Sequence, residues 1–160
     1  MIKKEYGYVT LVFGTVEAGK TTTLLKDALE TKEDNKVFLS MAVPQPKIYD
    51  RISKLGYDLS KIRFNVIDPK CYDIVNHLIN IIKFYEAKVL YIDQYTLLGN
   101  KDSVIKLSEL AHDLNISIIC SCTITRAFVT STDKKGTTKK EIAKVRDKLK
   151  YDNLIPVSYI

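Results

Sequence analysis

The chain predicts a doubly wound, mostly parallel α/β sheet in one domain spanning residues 1–160, and three observations carry that expectation. Short apolar runs alternate with longer amphipathic stretches along most of its 160 residues. The apolar runs lack strict apolar/polar alternation, as expected of strands covered on both faces. Composition fits a single globular core: 46 % of residues are apolar and 28 % charged, with only 6 Gly and 4 Pro.

The elements follow in order. Tyr8–Phe13 reads as a buried strand, Lys20–Glu30 as a helix, Val37–Met41 as a strand, and Lys47–Leu55 as a helix stopped by Gly56. Ile62–Ile67 is strand-like, Tyr72–Tyr85 helical, Lys88–Ile92 a strand, Asp102–Leu114 helical, and Ile116–Cys122 a strand. Strands separated by helices pair in parallel through right-handed crossovers, which places helices on both faces of the sheet. After Thr123 the rhythm changes. Residues 130–140 contain no large apolar side chain and read as an exposed loop, and Glu141–Arg146 with Leu154–Ile160 reads as a terminal antiparallel hairpin. Pro156 assigns the last run to a sheet edge, because proline cannot donate to a ladder on both sides.

Charge is unevenly spread. The net charge is +6, yet residues 130–150 carry eight bases and three acids, so the remainder is close to neutral. A basic segment of this kind suits a phosphate-rich partner, and a solvated face is the plainer alternative. The three cysteines, Cys71, Cys120 and Cys122, do not form a disulfide framework or a zinc knuckle. No long apolar span is present, and the opening Met1-Ile2-Lys3-Lys4-Glu5 is too polar for a secretory signal. A cytoplasmic protein with no membrane association is expected. His77 and His112 stand singly on helices and suggest no metal site.

The strongest chemical signal is Gly14-Thr15-Val16-Glu17-Ala18-Gly19-Lys20-Thr21, which fits the pattern G-x-x-x-x-G-K-[ST] between a buried strand and a helix. Backbone N–H groups at such a helix start face phosphate oxygens. Lys20 would reach the β and γ oxygens, and the Thr21 hydroxyl would ligate Mg²⁺, with Thr22 beside it. The second signal is Val89-Leu90-Tyr91-Ile92-Asp93, an apolar strand ending in a carboxylate suited to hold the same metal through water. A nucleoside triphosphate with Mg²⁺ is thus the expected ligand.

Together these motifs resemble the RecA-like P-loop ATPases, and within them the DnaB-helicase and KaiC-like branches, as a minimal core only. Val37-Phe38-Leu39-Ser40 followed by Ile48-Tyr49-Asp50-Arg51-Ile52-Ser53-Lys54-Leu55-Gly56-Tyr57-Asp58-Leu59 is similar to the family's second strand and the R-x-x-x-L-G-x-D stretch after it. Leu107–Ile116 looks like its helix into the fourth core strand, and Thr123-Ile124-Thr125-Arg126 stands where the family has Q-x-x-R. Ile142–Asp147 resembles the K-x-R hairpin that reaches a neighbouring subunit's nucleotide. The resemblance implies a phosphate sensor at Thr123, contacts in trans from Lys144 and Arg146, and a DNA-facing loop whose Lys134, Lys135, Lys139 and Lys140 neutralise single-stranded DNA phosphates. It also implies a homo-oligomer or association with a partner ATPase subunit.

The sequence departs from the family in its acids. The catalytic glutamate expected after the second strand falls at or next to Ala42, and Gln94 follows Asp93. Glu17 within the loop is a candidate substitute base, with a solvent-facing side chain as the plainer alternative. Two functions therefore stay open: an ATPase acting in DNA replication or recombination, and an ATP-binding regulatory or loader-like module with little or no hydrolysis. A third, a nucleoside kinase of the thymidine kinase type, shares the core but expects an acid after the metal carboxylate and a cysteine zinc ribbon, which Gln94 and the cysteine spacing do not supply.

Overall fold

A computed structural model describes residues 2–14, 19–33, 35–40, 45–58, 63–66, 73–93, 101–123 and 152–156. In chain order its elements are β1 (Val9–Gly14), α1 (Lys20–Glu30), β2 (Lys36–Ser40), α2 (Gln45–Lys54), β3 (Arg63–Val66), α3 (Ile74–Tyr85), β4 (Val89–Asp93), α4 (Lys101–Leu114), β5 (Ser117–Thr123) and β6 (Asn153–Pro156). The six strands form one sheet in the order β3-β2-β4-β5-β1-β6, and every pairing is parallel. Parallel strands with intervening helices need covered faces, and the core divides accordingly.

On one face Val9, Leu11, Phe13, Leu39, Leu90, Ile92, Ile118 and Cys120 meet the inner stripes of α3 and α4, including Leu78, Ile82, Val104, Leu107 and Ala111. On the other, Val12, Phe38, Val89, Tyr91 and Ile119 meet Leu24, Leu25 and Ala28 of α1. Successive side chains of one strand supply opposite layers, which is why the strands read as continuous apolar runs.

The helix ends follow local chemistry. Asp73 caps α3 by accepting from the Asn76 N–H at 3.2 Å, which explains why this helix begins two residues later than its apolar pattern. Glu86 and Asn115 close α3 and α4 with φ of 51°, and Gly56 follows α2 at φ 77°.

A polar network anchors the amino-terminal residues under α1. The Asp27 carboxylate accepts from the Ile2 N–H at 2.6 Å, from the Tyr91 hydroxyl at 2.6 Å and from the Lys4 ammonium. Thr31 Oγ1 donates to the Asp27 carbonyl at 2.6 Å and lies 3.0 Å from the Tyr91 oxygen. Burial, together with the Asp27 carboxylate beside it, pushes the Tyr91 phenol well above its ordinary range, so it stays a donor.

The last strand joins the sheet beside β1. β6 runs parallel to β1, with Thr10 opposite Asn153 and Phe13 opposite Pro156. The reason lies where the chain enters. Asp152 donates its N–H to the Val9 carbonyl at 3.1 Å, while its carboxylate accepts from the Val9 N–H and Ser108 Oγ, both at 2.8 Å. These bonds start β6 at the amino-terminal end of β1, so it can only run alongside. Its place at the sheet edge agrees with Pro156. Residues 141–146, the other arm of the expected hairpin, lie outside the described residues, as does most of Leu154–Ile160.

Candidate functional site

Because all six strands are parallel, their carboxyl ends share one edge of the sheet: Gly14, Ser40, Val66, Asp93, Thr123 and Pro156. The chain leaves β1 toward β2 on one side and later returns to place β6 on the other, so β1 lies at the topological switch, where open α/β sheets bind ligands. β5 separates the Gly14 strand from the Asp93 strand, and α1 bridges the gap from above the sheet.

Gly19 precedes α1 with φ 86° and ψ 21°, and no side chain caps this helix. An added Cβ there would meet nothing within 4 Å, so the glycine is required by its left-handed backbone and not by space. The uncapped N–H groups of the first turn are the donors an anion would use. Lys20, the first helical residue, is 3 % exposed, and Thr21 is 9 % exposed. The Thr21 hydroxyl donates to Asp93, with Oδ2 at 2.9 Å and Oδ1 at 3.2 Å.

Asp93 is fully buried. Burial raises its carboxyl above the usual range; hydrogen bonds from Ser121 and Thr21, then the charges of Arg51 and Lys20, offset part of that rise. The Ser121 hydroxyl donates to Asp93 Oδ1 at 2.7 Å. Ser40 stands opposite Asp93 in the β2–β4 register, so two hydroxyl residues flank the carboxylate across three adjacent strands. A carboxylate, a threonine hydroxyl and a buried lysine are hard oxygen donors and a cation, a set that fits Mg²⁺ with an anionic phosphate.

The sequence-predicted residues divide as follows. Gly14, Gly19, Lys20, Thr21 and Asp93 converge at this edge, and Thr22 is exposed on the first turn of α1. Thr123 ends β5 directly opposite Gly14, at the same edge. Thr15, Val16, Glu17 and Ala18, with Ala42 and Gln94, lie outside the described residues, as do Lys134, Lys135, Lys139, Lys140, Lys144 and Arg146. Of the six strand-final residues only Asp93 is acidic.

Sequence reasoning missed Ser121 and Arg51 as neighbours of the site. Within the apolar run Ile116–Cys122 a serine reads as small filler, and its usable signal is parity with Ile119 on a strand beside β4. Arg51 enters only once α2 is placed. A cavity of about 580 Å³ lies at the opposite end of the sheet, lined by Tyr8, Ser108, Glu109, His112 and Asp152, and shares no residue with the motif. His77 and His112 are exposed, and no cluster of three metal-ligating side chains occurs among the described residues. No helix among them is long and apolar enough to cross a membrane.

Strand, glycine turn, buried lysine and strand-end carboxylate together define a phosphate-loop α/β fold. Among the solved structures that match is a KaiC-like protein from the hyperthermophilic archaeon Pyrococcus horikoshii OT3, with TM-score 0.62 and 17 % identity over 76 % of this chain. The chain spans 63 % of that structure's own length. The two share an α/β fold of the RecA-like kind, in agreement with the motif order in the sequence. No protein-family model and no curated protein sequence matches it.

Proposed function

We propose that the chain is a nucleotide-binding RecA-like domain that takes ATP with Mg²⁺ at the carboxyl edge of its sheet. The observation that carries this reading is the 2.9 Å hydrogen bond from Thr21 to Asp93, which joins the two motifs beside buried Lys20. Lys20 and the first N–H groups of α1 bind the phosphates, and Thr21 and Asp93 hold the cation. Bound Mg²⁺ supplies charge neutralisation at the phosphates. Lys20 fixes the terminal phosphate against the strand edge, and the buried surroundings strengthen each of these interactions.

The domain acts as an ATPase in DNA replication or recombination. Lys134, Lys135, Lys139 and Lys140 contact single-stranded DNA, Thr123 senses the terminal phosphate, and Lys144 with Arg146 reaches the nucleotide of a second subunit or partner ATPase. A second reading, a regulatory or loader-like module that binds ATP and hydrolyses it slowly, is favoured by the end of β2. No acid occurs from Lys36 to Ser40, and Ser40 is the residue that stands beside Asp93. Glu17 in the phosphate loop is then the candidate general base near the γ-phosphate.

Phosphate release measured with and without single-stranded DNA separates these readings. DNA-stimulated turnover abolished by Lys20→Ala supports the ATPase. Tight ATP binding with negligible turnover supports the module, and turnover unaffected by Lys20→Ala removes both.

A further inference from the structure

β5 carries two fully buried serines on the face that Asp93 shares, and their hydroxyls differ. Ser117 Oγ has no hydrogen-bond partner among the described residues. Ser121 Oγ donates to Asp93 Oδ1 at 2.7 Å, whereas Thr21 Oγ1 stands nearer to Oδ2, at 2.9 Å against 3.2 Å. The two carboxylate oxygens are thus divided, Oδ1 toward β5 and Oδ2 toward the start of α1.

That division needs a holder. The terminal torsion of an aspartate is broad, so an unheld carboxylate turns readily about its last bond. Thr21 holds it incompletely, because the nucleotide reading above shares its oxygen with the cation. Ser121 reaches the other oxygen from β5. It sits on a strand paired on both sides, with β4 and with β1, and its hydroxyl is one bond beyond Cβ. A group built on an interior strand is placed more tightly than one on a loop.

We propose that Ser121 is a positioning residue for the metal, holding Oδ1 so that Oδ2 of Asp93 is the oxygen turned toward Thr21 and the cation. This rests on the reading of the site as one for Mg²⁺ with ATP. A hydroxyl that orients a carboxylate without touching the metal acts as an outer-shell support, and loss of such supports costs about 10- to 100-fold in metal affinity.

The test is the affinity of a fluorescent ATP analogue, titrated in excess Mg²⁺ and in chelator, for the wild type, Ser121→Ala, Ser121→Thr and Ser117→Ala. The expected result is that Ser121→Ala reduces the Mg²⁺-dependent gain in affinity by about 10-fold while the chelator value stays unchanged. Ser121→Thr retains the gain, and Ser117→Ala matches the wild type. If Ser121→Ala does not fold, the isosteric pair Ser121→Thr and Ser121→Val replaces it, since the two differ by the hydroxyl alone and only the threonine keeps the gain. Two results overturn the proposal with the nucleotide reading intact: an unchanged Mg²⁺ gain in Ser121→Ala, or an equal loss with and without Mg²⁺. A wild type that binds no analogue overturns both.

Discussion

Replacing Asp27 with alanine tests how the amino-terminal residues are tied to the domain. Its carboxylate is 2 % exposed and accepts from the Ile2 N–H, the Lys4 ammonium and the Tyr91 hydroxyl. The Lys4 side chain is itself only 13 % exposed. Truncation leaves one largely desolvated cation and two buried donors without their strongest acceptor. Lys4 keeps the Ile2 carbonyl at 2.6 Å and Tyr91 keeps Thr31 at 3.0 Å, so the loss is partial. Breaking a buried ion pair by removing one partner costs about 3–5 kcal/mol. Against a whole-domain stability of about 5–15 kcal/mol this is a large share. It corresponds to a fall in Tm of about 6–20 °C, at about 2–4 °C per kcal/mol for a chain of this size.

Tyr91→Phe removes one hydrogen bond to a charged acceptor and leaves the other two, for about 1.5–3 kcal/mol. The assay is urea unfolding of both single variants and the double variant. Because the two groups share a bond, the double variant should cost less than the sum by about 0.5–3 kcal/mol. An Asp27→Ala loss below about 1 kcal/mol, in the range of exposed pairs, would refute the reasoning and mean that water reaches this carboxylate.

Three further outcomes are expected. Gly19→Ala meets no neighbour, so its cost is the left-handed backbone alone, about 1–2 kcal/mol by denaturant unfolding, together with weakened ATP binding. Burial raises the Asp93 carboxyl above its unfolded value, so the folded state binds the proton more tightly and ionisation of Asp93 as pH rises costs stability. Asp93→Asn should therefore be more stable than the wild type without nucleotide at pH 8, and the difference should shrink as pH falls toward the unfolded carboxyl range; an advantage that grows on acidification contradicts this sign. If Lys134, Lys135, Lys139 and Lys140 contact single-stranded DNA, replacing all four with alanine should flatten the salt dependence of binding by about 3 units of log K per log salt, read by fluorescence anisotropy.

Most of the fold was legible because a buried parallel sheet writes itself as uninterrupted apolar runs, and β1, β4 and β5 begin and end within a residue or two of those runs. The helix ends were less legible where a polar side chain decided them, as Asp73 does for α3. The neighbour of β6 was not legible. A short apolar run after a polar stretch does not name the strand it joins, and its place beside β1 rests on the Asp152 bonds to Val9 and Ser108, which join positions more than forty residues apart. In the site, Lys20, Thr21 and Asp93 were legible because each occupies a fixed offset from a strand or helix end. Ser121 was hidden, since its role depends on which strand lies beside β4, and strand order is not written in local periodicity.

The central claim is tested most directly by isothermal titration of the wild type and Lys20→Ala with ATP, each in Mg²⁺ and in chelator. Saturable binding strengthened by Mg²⁺ in the wild type and lost in Lys20→Ala is the predicted result. Equal binding by the two proteins, or none by the wild type, would contradict it.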